Sequence, residues 1–175
     1  NDDLRCVCDA LHAAGIRVLF DGVFNHVGRE FPPFRDLREK RWESRYRDWF
    51  YPHFDGDTPY HDGFHYDCWE GHYELPRLNL RNPEVEQYLF ECVRFWHDTF
   101  GVDGLRLDVA YSLDREFLAH LKAFTRTLSP DFPLIGEVLF GDYGLIVREG
   151  LLDSCTNYEN YKSTYSAINP RNLYE

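Results

Sequence analysis

Three short apolar runs in this 175-residue chain end in groups able to do acid–base or nucleophilic chemistry. Residues 16–20 (IRVLF) lead into Asp21, with Asn25 and His26 just behind. Residues 104–108 carry Arg106 and end in Asp108, and residues 134–138 (LIGEV) carry Glu137. Two carboxylates from neighbouring strands, beside an Arg and a His, make an acid–nucleophile pair. A single acid at a strand end more often caps the next helix or pairs with a base. Asp21, an Arg-x-Asp and Glu137 at three successive strand ends favour chemistry over that blander reading.

The elements that must position these groups follow a helix-then-strand rhythm. Leu4, Val7, Cys8 and Leu11 have helical spacing, and Gly15 ends that helix before the 16–20 strand. Asn82, Pro83 and Glu84 form a helix start, with Asn as N-cap, Pro in the first turn and Glu at the positive end. That helix is expected to run to about Phe100, followed by a strand over 104–108 and a helix over 114–128. A third strand over 134–138, a weak helix over 143–149 and a short strand over 154–156 complete the pattern. Such alternation gives an α/β fold with parallel strands and right-handed crossovers. Doubly wound sheets and (β/α)₈ barrels both have it, and both place chemistry at the C-terminal strand ends. Neither GxGxxG nor GxxxxGK[ST] is present, which disfavours nucleotide-binding versions. The stretch 27–81 breaks the rhythm, holding five of the nine prolines and many aromatics. A helix over 36–48 is expected there, and the remainder to Asn79 reads as a long irregular excursion of the kind that carries function.

Composition narrows the partners. Nineteen Lys and Arg against thirty Asp and Glu leave a net charge of −11, which argues against nucleic acid. The 43% hydrophobic content excludes a disordered chain, and no apolar run is long enough to span a bilayer. Aromatic residues make up 17%, enough to fill a core or line a groove for flat ligands. Five cysteines without a CxxC fit free thiols and a reducing, cytoplasmic setting. The chain has no Met and starts at Asn1 inside a helical pattern, so it is expected to be an excerpt of a longer polypeptide.

Four strings carry a family resemblance. Residues 21–26 (DGVFNH), 104–110 (GLRLDVA) and 136–138 (GEV) resemble, in order and spacing, three signature regions of the α-amylase family of glycoside hydrolases. Residues 75–79 (LPRLN) resemble a further signature that the family carries before its fourth strand. The resemblance implies part of a (β/α)₈ TIM barrel, about its third to sixth strands. Residues 1–26 and 80–175 would form that partial catalytic barrel, and 27–79 a short insertion after the first strand present. It implies Asp108 as nucleophile, Glu137 as acid and then base, and Asp21, His26 and Arg106 as substrate-binding residues, with Asn25 bracing the loop. It implies an oligosaccharide or α-glucan substrate, and the neopullulanase and cyclomaltodextrinase types look nearest.

Physical reasoning agrees. Arg106 and Asp108 are two apart on a strand and so share a face, where the guanidinium keeps Asp108 ionised. Glu137 lies in an apolar strand, where desolvation is expected to raise its pKa and keep it protonated near neutrality. Neighbouring strands lie about 4.8 Å apart, which suits the ~5–5.5 Å carboxyl separation of a retaining mechanism better than the ~6.5–9.5 Å of an inverting one. Tyr111 and Ser112 stand where many starch-cleaving members have Lys-His, which leaves the leaving-group subsites open. The third catalytic Asp of the family pattern would follow a seventh strand, beyond Glu175. His53, His61, His65 and His72, with Asp62, Asp67 and Cys68, match no zinc spacing, and no metal ligand or cofactor is assigned. The family often binds calcium near the position of Asn25, through a larger insertion that does not map onto this chain. Tyr66, Trp69 and Tyr73 read equally as sugar platforms or packing residues. A transglycosylase or isomerase of the same family, and a sugar-binding protein on the same scaffold, are the rival readings. Taken alone, this part of a barrel is expected to be inactive, and either to self-associate through its open edges or to be only marginally folded.

Overall fold

The computed structural model describes residues 1–169; residues 170–175, the end of the expected barrel portion, lie outside the described residues. In chain order the elements are α1 (Asp2–Ala13), β1 (Leu19–Gly22), α2 (Pro32–Lys40), β2 (Pro52–His53), β3 (His65–Tyr66), β4 (Cys68–Trp69) and β5 (His72–Pro76). They continue with α3 (Pro83–Phe100), β6 (Gly104–Leu107), α4 (Arg115–Leu128), β7 (Leu134–Gly136), β8 (Ser154–Cys155) and α5 (Tyr158–Ile168). The chain forms two compact units, one of Asn1–Gly22 with the chain from Trp96 onward, the other of Val23–Phe95.

The first unit holds a parallel four-stranded sheet in the order β1-β6-β7-β8. Asp21 pairs with Arg106, and Arg106 with Ile135, so the expected strand ends stand side by side. The first strand starts later than the apolar run suggests. Ile16 donates its N–H to the Leu11 carbonyl, and Val18 donates to the Asp103 carboxylate at 2.7 Å, so these residues finish α1 and anchor a loop instead of joining the ladder. Leu19 is 37% exposed because β1 is the edge of the sheet, where the all-buried pattern expected of internal strands does not apply.

Helix α4 starts where Asp114 caps it, its carboxylate accepting the N–H groups of Glu116 and Phe117. Its buried face of Phe117, Leu118 and Leu121 contributes about 1.5–3 kcal/mol for each large apolar side chain removed from water. Lys122, buried on the same helix, pairs with Asp153, and the same Asp153 oxygen accepts the Leu134 N–H at 2.7 Å. That pair ties α4 to the start of β7. Two close approaches demand glycine. A Cβ on Gly136 would lie 2.4 Å from a Leu152 methyl and 2.8 Å from the Ala110 Cβ, and one on Gly104 would lie 2.8 Å from the Pro133 carbonyl oxygen.

The weak helix expected over 143–149 is only one 3₁₀ turn, Tyr143–Leu145. Asp142 turns its side chain back onto the Gly144 N–H, the local bond by which Asp favours turns over helix. Helix α5 was not anticipated; Asn157 caps it by accepting the Asn160 N–H at 3.0 Å.

In the second unit α2 covers less than the expected 36–48. It starts early, at the Pro32-Pro33 pair that suits a first turn, and stops at Arg41, whose φ is 54°. The excursion is not wholly irregular, since β2–β3 and β4–β5 form two short antiparallel ribbons. Its core is aromatic: Phe34 packs edge-on against Phe50 and Tyr66 at ring distances of 5.0 and 4.9 Å. Beneath it Arg29 grips the nearly buried Asp62 through both carboxylate oxygens, at 2.7 and 2.8 Å. Burial works against that carboxylate, but Arg29, Thr58 and Arg38 hold its pKa below the ordinary value.

Candidate active site

Register brings the first unit's polar groups together. Asp21 and Arg106 are paired on β1 and β6, Asp108 follows the last residue of β6, and Glu137 follows the last residue of β7. The ladder continues past both ends: Glu137 donates its N–H to the Leu107 carbonyl at 2.8 Å, and Ala110 donates to the Glu137 carbonyl at 2.9 Å. These bonds hold both acids on rigid sheet backbone.

Arg106 is the hub. One terminal nitrogen, Nη1, donates to Asp21 at 2.6 Å and to Asp108 at 2.8 Å, and the other, Nη2, meets Glu137 Oε2 at 2.8 Å. Partial burial disfavours the guanidinium charge, yet Asp21, Asp108 and Glu137 together raise its pKa above an already high value. Arg106 therefore stays charged and fixes both acids on one group.

Glu137 departs from the expected protonation. Burial does push its pKa up, but the Val109 N–H, the Arg106 charge and the Tyr158 hydroxyl outweigh it and hold the carboxyl below its ordinary value. The donors reach different oxygens: Val109 N–H lies 3.3 Å from Oε2 and Tyr158 OH 3.1 Å from Oε1. In this state Glu137 is an ionised partner of Arg106, and the apolar strand around it is not the deciding influence.

Val109 and Tyr158 escaped sequence reasoning. Val109 has φ 40° and ψ 46°, a left-handed conformation that a β-branched residue adopts only under strain. Only a Gly, Asn or Asp would have signalled that turn. Tyr158 did leave a trace, since it stands just past the short 154–156 strand, where a polar residue at a strand end reads as a site candidate. Thr156 fastens that end to the next, its hydroxyl accepting the Val138 N–H at 3.0 Å.

Asn25 and His26 lie in the second unit. Both are buried, at 2% and 8% exposure. Backbone pairing of His26 with Arg77, and the Leu78 N–H on the Asn25 carbonyl, tie this loop to the LPRLN string. The His26 ring lies 5.7 Å from that of Trp69, which stacks on His72 at 5.2 Å. Tyr66 is a packing residue, fully engaged with Phe34, Phe64 and the Tyr73 carbonyl. The other histidines of this unit scatter into separate pairs: His53 with Asp67, His61 with Asp57, His65 with Tyr73 and His72 with Glu74. Among the described residues no group of three His, Cys, Asp or Glu side chains is placed to hold a metal ion, and the Asn25 amide faces the His26 ring at 3.3 Å.

Comparison with known proteins gives the family. The family model described as the α-amylase catalytic domain matches residues 1–138. Neopullulanase 2 of Thermoactinomyces vulgaris is 37% identical over 157 residues, 88% of this chain and 26% of that protein. The cyclomaltodextrinase of Geobacillus thermopakistaniensis is 35% identical over 161 residues, 90% of this chain and 26% of that protein. The solved structure of the ligand-free form of a cyclic α-maltosyl-(1→6)-maltose hydrolase from Arthrobacter globiformis superposes with a TM-score of 0.87 at 28% identity, covering 94% of this chain and 37% of that one. The chain thus spans about a quarter of the curated relatives it matches. Its parallel sheet is part of a (β/α)₈ barrel, and the chain belongs to the α-amylase catalytic-domain family.

Proposed function

We propose that the whole protein carrying this chain is a retaining glycoside hydrolase of α-glucans and maltooligosaccharides. The observation that supports this best is one guanidinium, Arg106, holding Asp108 and Glu137 at the tips of adjacent parallel strands. The relatives' names, for pullulan, cyclic maltodextrin and cyclic maltosyl-maltose hydrolysis, favour the same substrate class.

In this reading the Asp108 carboxylate attacks the anomeric carbon while the glycosidic C–O bond breaks, and Glu137 gives its proton to the leaving oxygen. Glu137, now ionised, takes a proton from water, whose oxygen attacks the same carbon and frees Asp108. Glu137 must first be protonated. A bound sugar supplies the means by excluding water, since desolvation is the influence that already favours the neutral carboxyl. His26 hydrogen-bonds the sugar, Asp21 braces Arg106 and Asn25 braces the loop carrying His26.

Residues 27–79 serve as the insertion after the third barrel strand, and 1–26 with 80–175 as the barrel portion. The enzyme works in a reducing cytoplasm, a setting that the five free cysteines favour. No helix among the described residues is long and apolar enough to cross a membrane.

The test is the anomer released. Proton NMR of a maltooligosaccharide digest by the whole protein should show the α-anomer first, and Asp108→Asn should abolish turnover. Initial release of the β-anomer would refute the retaining assignment.

A further inference from the structure

The two oxygens of the Glu137 carboxyl stand in unlike surroundings. Oε2 faces donors only, the Arg106 guanidinium at 2.8 Å and the Val109 N–H at 3.3 Å. Neither can accept a hydrogen bond. A proton on Oε2 would point at a cation and an N–H, so the proton that Glu137 carries belongs on Oε1. The group at Oε1 is the Tyr158 hydroxyl, at 3.1 Å. A hydroxyl can donate to an ionised carboxylate and accept from a protonated one, and it rotates between the two roles. Among the described residues no other side chain bonded to Glu137 can do this, since the remaining charged groups of the site, Asp21 and Asp108, are held on the far nitrogen of Arg106.

We propose that Tyr158 is a positioning residue that assigns the Glu137 proton to Oε1 and switches its own hydroxyl from acceptor to donor as that proton leaves. The inference rests on the glycosidase reading above, and it adds which oxygen does the work. As the glycosidic bond breaks, the Oε1 proton passes to the leaving oxygen, and the bonding pair goes with that oxygen. Tyr158 then donates to the new carboxylate, which stabilises it until water returns a proton. The position of the residue makes this feasible. Asn157 caps α5 and so fixes the first turn, which places Tyr158 one residue past the cap, beyond the tip of β8. The coupling is reciprocal, for Glu137 raises the Tyr158 phenol pKa above its ordinary value.

Two reciprocal titrations by ¹³C NMR test this on the whole protein, and its pH profile extends the test to catalysis. In Tyr158→Phe, which loses only the hydroxyl, the Glu137 carboxyl should titrate roughly 0.5–1 pH unit higher than in the parent. In Glu137→Gln the Tyr158 phenol should titrate lower than in the parent, so either variant suffices if the other does not fold. In the whole protein the alkaline limb of kcat/KM should move up in Tyr158→Phe, because the acid form of Glu137 then persists to higher pH. Unmoved titrations in folded variants overturn the proposal, as does a loss of rate equal at every pH. A whole protein without glycosidase activity would instead count against the enzyme reading, and the two titrations would still decide the Tyr158–Glu137 link.

Discussion

At the scale of single residues, the acids at the strand ends do not act as independent groups. Arg106 holds Asp21, Asp108 and Glu137 at once, so its removal leaves like charges facing each other. In Arg106→Gln the Glu137 carboxyl should titrate above its value in the parent chain, a shift measurable by ¹³C NMR. In the parent it should titrate below the ordinary value of about 4.3, and adding maltotriose to the whole protein should move it up as water leaves. No upward movement with sugar would remove the route to a protonated acid. His26→Ala should slow the whole enzyme far less than Asp108→Asn, since it deletes one hydrogen bond and no bond-making group.

At the scale of elements, tight helix–strand contacts set the positions of the strand tips. Gly136→Ala should destabilise the fold by about 1–3 kcal/mol, read from urea unfolding, because backbone and Leu152 must move to admit a methyl. Asp114→Ala should cost about 1 kcal/mol by uncapping α4. The Asp153 carboxyl is pushed up by its burial but pulled down further by Lys122 and the Leu134 N–H. Its contribution is therefore present above the unfolded value near 3.9 and fades as pH falls below that. Asp153→Asn should flatten the acid limb of a Tm-against-pH curve, and an unchanged limb would show that the pair does not govern it.

These elements were legible in the sequence to different degrees. The strands at Arg106 and Glu137, α3 and α4 followed directly from periodicity and caps. Strand β1 shifted because Ile16 and Val18 are bonded to Leu11 and Asp103, partners that an apolar run cannot disclose. The ribbons β2–β3 and β4–β5 are too short to show alternation, and they owe their order to an aromatic core and a buried ion pair. At the site, residue types and spacing revealed the acids and Arg106. The ionisation of Glu137 was not legible, because it depends on donors from β6, from the strained Val109 and from α5.

At the scale of the whole molecule, the described sheet has outer strands β1 and β8. A closed barrel has no such edges, and its inner layers draw on strands all the way round. The 175-residue chain alone should therefore be inactive on α-glucans, and either associate through these edges or be only marginally folded, which light scattering, urea unfolding and a reducing-sugar assay can check. A stable, active monomer would show that this part suffices. Covalent capture tests the nucleophilic role of Asp108 most directly. Incubating the whole protein, as Glu137→Gln, with an activated glucosyl fluoride should leave one sugar, located by peptide mass spectrometry, as an ester on Asp108. The fluoride departs without acid help, while the ester has lost its base and survives. A label on any other residue, or hydrolysis without a label in Asp108→Asn, would contradict the account.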